Sequence, residues 1–173
     1  MEAWRAIRMR RAIREFDGRS LEPAQLDRIL DAGRRAPSSK NEQRWAFVSV
    51  TNRDRLEALS KVGDYAGHVT GAAAAVAIVV PEAGEDWRRE SIAMDSGQAA
   101  ENMMIAAWEM GIGSVHAAVY DEKAACDLLG YPKGWRCDYL LSLGFPADPK
   151  VLDRPPKRGG RRPFDDVVHR ETW

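Results

Sequence analysis

The chain has 173 residues, 45% hydrophobic and 30% charged, with 26 Lys and Arg balanced by 26 Asp and Glu. A chain of this length buries about 70% of its unfolded surface and sustains a real core. A net charge of zero argues against non-specific nucleic-acid binding and against an acidic tail. The two cysteines, Cys126 and Cys137, show no metal-motif spacing and no disulfide framework, and read as reduced thiols in the cytoplasm. The opening residues lack a signal-peptide core, and the longest apolar run, 72–81, is about half a bilayer span, so no membrane contact is expected.

A short helix is predicted over 2–10, followed by a turn at Phe16-Asp17-Gly18. Pro23 opens a second helix, where its missing N–H costs nothing. Leu26, Ile29, Leu30 and Gly33 keep helical spacing until Pro37 stops it. Glu22 ranks low as a cap. Residues 37–44 read as a loop, 46–50 as a strand, and 53–61 as a helix capped by Thr51 with Leu56 and Leu59 inward. The apolar run 73–80 predicts a central strand covered on both faces.

The strongest helix is 91–110, where Ile92, Ala99, Met103, Ala106, Ala107 and Met110 form one face. The small side chains predict close packing on another helix, and Gly111 closes the helix in the left-handed conformation. A strand over 112–119, a helix over 122–129 between Asp121 and Gly130, and a strand over 139–144 follow. Beyond Pro146 the chain turns to Pro, Gly and basic residues. Its last ten residues still carry Phe164, Val167, Val168 and Trp173, an apolar set that needs either its own core or a partner to cover. The alternation predicts layered helices and strands in a single domain, 1–173, with no internal repeat.

The chemistry of the usual motifs is missing. His68, His116 and His169 form no metal spacing, and there is neither a nucleophile elbow nor a Walker A loop. Gly111-Ile112-Gly113 follows a helix instead of a strand, which removes a dinucleotide fingerprint. Three stretches suit an anionic cofactor. Arg10-Arg11-Ala12-Ile13-Arg14 groups guanidinium forks that match phosphate, though it reads equally as a solvated basic face. Pro37-Ser38-Ser39-Lys40-Asn41-Glu42-Gln43-Arg44-Trp45 offers hydroxyls and amides to a heterocycle, or is only a turn. Lys157-Arg158-Gly159-Gly160-Arg161-Arg162-Pro163 meets phosphate or serves as a solvated linker.

The order of these stretches resembles the nitroreductase family from about Met9 to His169. The specific part is Ala36-Pro37-Ser38-Ser39 with Asn41, Gln43, Trp45 and Phe47 behind the basic pentad. Asp95, Gln98, Ala99 and Asn102 on the long helix, Gly111-Ile112-Gly113-Ser114, and Arg161-Arg162-Pro163-Phe164-Asp165-Asp166-Val167-Val168-His169 add to it. The resemblance implies an α+β, three-layer nitroreductase-like fold. Its central sheet would be mixed but mainly antiparallel and flanked by helices, with a C-terminal arm exchanged in a homodimer.

It also implies tightly but non-covalently bound FMN, reduced by NADH or NADPH and reoxidised by a small-molecule acceptor such as a nitroaromatic or quinone, in ping-pong fashion. By resemblance, Arg10, Arg11, Ala12 and Arg14 face the FMN phosphate and ribityl chain, and Pro37, Ser38, Ser39, Asn41 and Gln43 face the ring. Gly113 and Ser114 offer a backbone N–H to flavin N5, and Arg161 and Arg162 reach the phosphate, some of these groups coming from the opposite subunit. His116 lies near that segment. No catalytic side chain and no metal ligand is required.

The family often has Ser where Ala12 stands and commonly Pro where Arg44 stands; the latter bears on the loop's shape. Little material between 62 and 73 is left for a lid, so an open pocket is expected. The same fold also serves reductive dehalogenation, flavin breakdown and flavin binding without turnover.

Overall fold

A computed structural model describes residues 2–154 and 160–173. Five helices and four strands follow one another as α1 (Ala3–Met9), α2 (Pro23–Arg34), β1 (Ala46–Val50), α3 (Arg53–Leu59), β2 (Ala74–Pro81), α4 (Asp86–Glu109), β3 (Gly113–Ala118), α5 (Glu122–Leu129) and β4 (Trp135–Gly144). The strands form one sheet in the order β1-β2-β4-β3, every neighbouring pair antiparallel. The one parallel contact is an isolated bridge between Ala12 and Ser114. This is the α+β layering that was expected, an antiparallel sheet between helices.

Alternation along β2 divides the interior into two cores. Ala74, Val76, Ile78 and Val80 pack with Leu141, Leu143, Ile29 of α2 and Ala99, Met103 and Ala107 of α4. Ala75, Ala77 and Val79 pack with Leu140, Cys137, Leu56 and Leu59 of α3 and Ala125 of α5. Being covered twice, β2 needs no polar face, hence its unbroken apolar sequence. The small residues of α4 bring α2 close: a Cβ on Gly33 would lie 2.5 Å from the Met103 side chain.

Several boundaries differ from the sequence reading, each for a local reason. Asn52, not Thr51, caps α3, because the Asn52 side chain accepts from the Arg55 N–H. Glu22, a weak cap by type, is made effective by a capping box with Gln25. Helix α4 begins at Asp86, five residues before Ser91, in a charged turn that overhangs the sheet. Strand β4 begins at Trp135, and Asp138 is an extra residue against β2, since Ile78 faces Tyr139 while Val79 faces Cys137.

The tail behaves as an unanchored arm. Phe164, Val167 and Val168 are exposed and Trp173 is 100% exposed, so the described tail residues do not cover the chain's own core. Lys157, Arg158 and Gly159, part of the third basic stretch, lie outside the described residues.

Candidate cofactor site

Helix α4 and strand β3 gather two of the three expected contact stretches. The chain leaves α1 at Arg10 and runs along the open edge of β3, where the Ile13 N–H donates to the Ser114 carbonyl at 3.0 Å. Gly113 permits that approach, since a Cβ there would sit 2.7 Å from the Cβ of buried Ile13. Ser114 is fully buried, and its Oγ has no hydrogen-bond partner.

The three guanidinium groups of this segment do different things. Arg10 Nε donates to Glu101 on α4 at 2.8 Å. Arg11 donates to the Arg154 carbonyl at 2.5 Å and lies 5.8 Å over the Trp108 ring. Arg14 is exposed and, among the described residues, has no carboxylate partner, which leaves its fork open to an anion. Beside it stands His68, whose ring shares a 2.8 Å hydrogen bond with Ser142 Oγ. Burial first, then the charges of Arg14 and His116, hold the His68 pKa below its usual 6.5. Two histidines far apart in sequence therefore share one electropositive corner with Arg14.

Strand β3 is the sheet's edge, and its ladder alternates. Val119 N–H donates to Asp138, while the Ser114 carbonyl serves the 10–14 segment. Odd positions thus bond to β4, and His116 and Ala118 turn their backbone groups to the other edge, where Gly63 packs so closely on the Ala118 carbonyl that a Cβ would not fit between them. Gly113 falls on the β4 side, where its role is the close approach to Ile13. Ala118 was not singled out from sequence, because the choice of even over odd positions is set only by the ladder.

The Ser/Asn loop is pinned to α4. Ser38 Oγ accepts from the Gln43 N–H at 3.0 Å, and Gln43 Nε2 donates to Asn41 Oδ1 at 3.1 Å. Lys40, Asn41 and Gln43 have φ of 51°, 56° and 49°, a conformation uncommon for residues with side chains. The Ser39 N–H donates to both oxygens of buried Asp95, at 3.1 and 3.2 Å. Arg44, read from sequence as the last residue of a loop, is only 9% exposed and turns inward to Ser91, Glu42 and Asp95. Asp95 and Glu101 hold the two stretches about 9 Å apart along the axis of α4, at about 1.5 Å per residue. Asn102 completes the frame by donating to the Ala32 carbonyl of α2 at 3.3 Å.

Two adjoining clefts of about 380 and 330 Å³ open between the first half of α4 and the sheet, sharing Val80, Ala93, Asp138 and Tyr139. Ala118 lines one and His116 the other. Each lies within the ~300–1,000 Å³ usual for small-molecule sites. A third, of about 560 Å³, lies between α2 and β1 beside Gln43, Trp45 and Phe47. Gln43 is the one expected cofactor residue in the linings of these three clefts; the basic segment lines none of them. Among the described residues, Arg161 and Arg162 bond within the tail, to the carbonyls of Gly160 and Asp166, and make no hydrogen bond with Arg14.

This donor set fits FMN: an open guanidinium for a phosphate, side-chain amides and hydroxyls for a polar ring edge, and a strand edge that offers backbone N–H groups.

Comparison with known proteins points the same way. The chain matches the model of the nitroreductase family over residues 7–68 and 64–145. It is 32% identical to an Archaeoglobus fulgidus protein provisionally named an NADH dehydrogenase/NAD(P)H nitroreductase, over 99% of both chains. The crystal structure of a Bacteroides thetaiotaomicron protein of the same provisional name aligns with a TM-score of 0.84 at 25% identity, covering 99% of this chain and 98% of that one. The NADPH:FMN oxidoreductase of Vibrio harveyi, solved with NAD+, aligns at 0.80 and 26% identity, over 99% of this chain and 77% of its own. With the family model matched over most of its length and an archaeal relative matched end to end, this chain belongs to the nitroreductase family.

Proposed function

We propose that the chain is an FMN-dependent NAD(P)H oxidoreductase of the cytoplasm, one FMN-binding domain over 1–173 that works as a homodimer. The observation that carries this reading is the open guanidinium of Arg14 beside the backbone edge of β3, with the Ser38–Gln43 loop fixed on the same helix. The relatives' names support it: one is a nitroreductase using NAD(P)H by provisional name, another an NADPH:FMN oxidoreductase crystallised with NAD+.

FMN, when bound, would supply ping-pong redox chemistry between NADH or NADPH and a nitroaromatic, quinone or similar acceptor. The chain's own residues bind and orient. Arg14 meets the phosphate first, and Arg10 and Arg11 add the N–H groups their internal partners leave free. Ser38, Ser39, Asn41 and Gln43 present donors and acceptors to the ring, and the β3 edge offers a backbone N–H. No side chain is required as acid or base. The exposed apolar tail favours a site closed by a second copy, whose Arg161 and Arg162 would reach the phosphate.

An absorption spectrum of the purified protein, taken anaerobically before and after NADH or NADPH, tests the reading. Bands near ~450 nm that bleach on addition support it. A colourless protein that also fails to take up added FMN overturns it.

A further inference from the structure

The sequence stretch that departs from the family pattern at Arg44 is the part of the loop most tightly built into the fold. The Arg44 side chain is 8% exposed and that of Asp95 is 6%. Arg44 Nη2 donates to Ser91 Oγ at 2.8 Å and lies 3.7 Å from Asp95 Oδ2, while Nη1 lies 3.2 Å from Glu42 Oε2. Asp95 in turn accepts the Ser39 N–H with both oxygens. One guanidinium thus ties both ends of the loop to α4: directly through residue 44, which also holds Glu42, and through Asp95 to residue 39. Between those ends lie the left-handed residues Lys40 and Asn41, with Gln43 next to them. Residues with side chains hold that conformation only where their surroundings impose it.

We propose that Arg44 and Asp95 form a buried clamp that sets the shape of the Ser38–Gln43 loop, making Arg44 a positioning residue for the ring contacts of Ser39 and Asn41. The clamp's consequence for flavin rests on the FMN reading above; its consequence for the loop does not. A fork with two donor ends is required, because Nη2 meets Ser91 and Asp95 while Nη1 meets Glu42. A lysine ammonium at the end of a flexible stem cannot meet all three together. A carboxylate left buried without its counter-charge turns toward water or a proton, and the Ser39 N–H loses a fixed acceptor.

The test compares Arg44→Met, Arg44→Lys, Asp95→Asn and the double variant Arg44→Met/Asp95→Asn with the unmodified chain. Three quantities are read: exchange of the Ser39 amide against amides of β2, the FMN dissociation constant by fluorescence, and the thermal midpoint. Arg44→Met should speed Ser39 exchange at least tenfold while β2 amides stay protected, and raise the FMN dissociation constant at least tenfold. Arg44→Lys should recover less than half of either effect on a logarithmic scale. Adding Asp95→Asn to Arg44→Met should change FMN affinity less than twofold further, since the two residues act as one device.

If Arg44→Met fails to fold, the double variant, which buries no unpaired charge, gives the same two readouts. Unchanged Ser39 protection in Arg44→Met or the double variant overturns the clamp. Accelerated exchange with unchanged FMN affinity overturns the positioning role. An unmodified chain that binds no FMN overturns the flavin reading, and Ser39 exchange then decides the clamp by itself.

Discussion

Replacing Gly113 with alanine places a methyl group where three atoms of Ile13 already stand. The new Cβ would lie 2.7 Å from the Ile13 Cβ and 2.8 Å from each of its Cγ atoms, against about 3.5–4.0 Å for an ordinary carbon contact. Ile13 is buried and branched at that same Cβ, so no rotamer change relieves the closest contact and the backbones must part. The segment 10–14 is the side that yields. Its backbone is held to β3 by one bridge and one 3.0 Å hydrogen bond, whereas Gly113 sits in a ladder opposite Gly144.

Overpacking of this kind costs about 1–3 kcal/mol, and the reduced freedom of the unfolded chain offsets about 0.4–1 kcal/mol. The net loss is therefore about 1–2 kcal/mol, measured by urea unfolding. FMN affinity, followed by fluorescence titration, should fall with it, because Arg14 moves with the segment. Adding Ile13→Ala deletes the two Cγ contacts but leaves the contact at 2.7 Å, so affinity should return only in part. A G113A chain with an unchanged urea midpoint and unchanged FMN affinity would refute the argument.

Arg14→Ala should weaken FMN binding about tenfold or more with no change in the thermal midpoint of the apoprotein, as expected for a charge-assisted contact made only to the ligand. Arg11→Ala should lower the midpoint instead, because that side chain bonds Arg154 and covers Trp108; equal effects in both assays would contradict this division. Removing the residues after Arg162 should convert the proposed dimer to monomer in light scattering, and a truncated chain that stays dimeric rejects the arm. Burial pushes the Cys137 thiol from 9.0 up to about 12. The unfolded chain releases that proton first, so the stability present below pH 9 declines as pH rises toward 12, by at most about 1.4 kcal/mol per pH unit. Cys137→Ala should flatten this alkaline limb in unfolding measured across pH, and an equally steep limb would show that other groups cause it.

Elements whose signals are local could be read from sequence. Strand β1 came out at Ala46–Val50, and α5 came out between Asp121, whose side chain accepts from the Ala124 N–H, and Gly130 in the left-handed conformation. Periodicity reports only a buried face, so the first turn of α4, with Trp87 exposed beyond the sheet, left no trace. The start of β4 was lost because the extra residue Asp138 breaks the alternation that identifies a strand. At the candidate site, the residue types of the basic segment and the Ser/Asn loop were legible. Which arginine stays open was not, since Glu101 on a distant helix decides it. The burial of Arg44 left no local signal, because its buried partner Asp95 lies 51 residues away.

The extra residue in β4 also divides the protein's chemistry. Had the strand kept strict alternation, Arg136 and Asp138 would face the α3 and α5 side with Leu140, and Cys137 would face α4 with Tyr139 and Leu141. The added residue reverses the phase of the outer half. Cys137 enters the dry core, and Arg136 and Asp138 join Tyr139 along the cleft beside α4. Flattening the bulge with Asp138 kept would exchange the inside and outside of the strand's far end, driving a guanidinium into hydrocarbon and a thiol toward the open mouth. Deleting Asp138 would instead leave Cys137 opposite Val79 and inside, and remove only one carboxylate from the cleft. The polarity of that mouth is written in the bulge as much as in the identity of its residues.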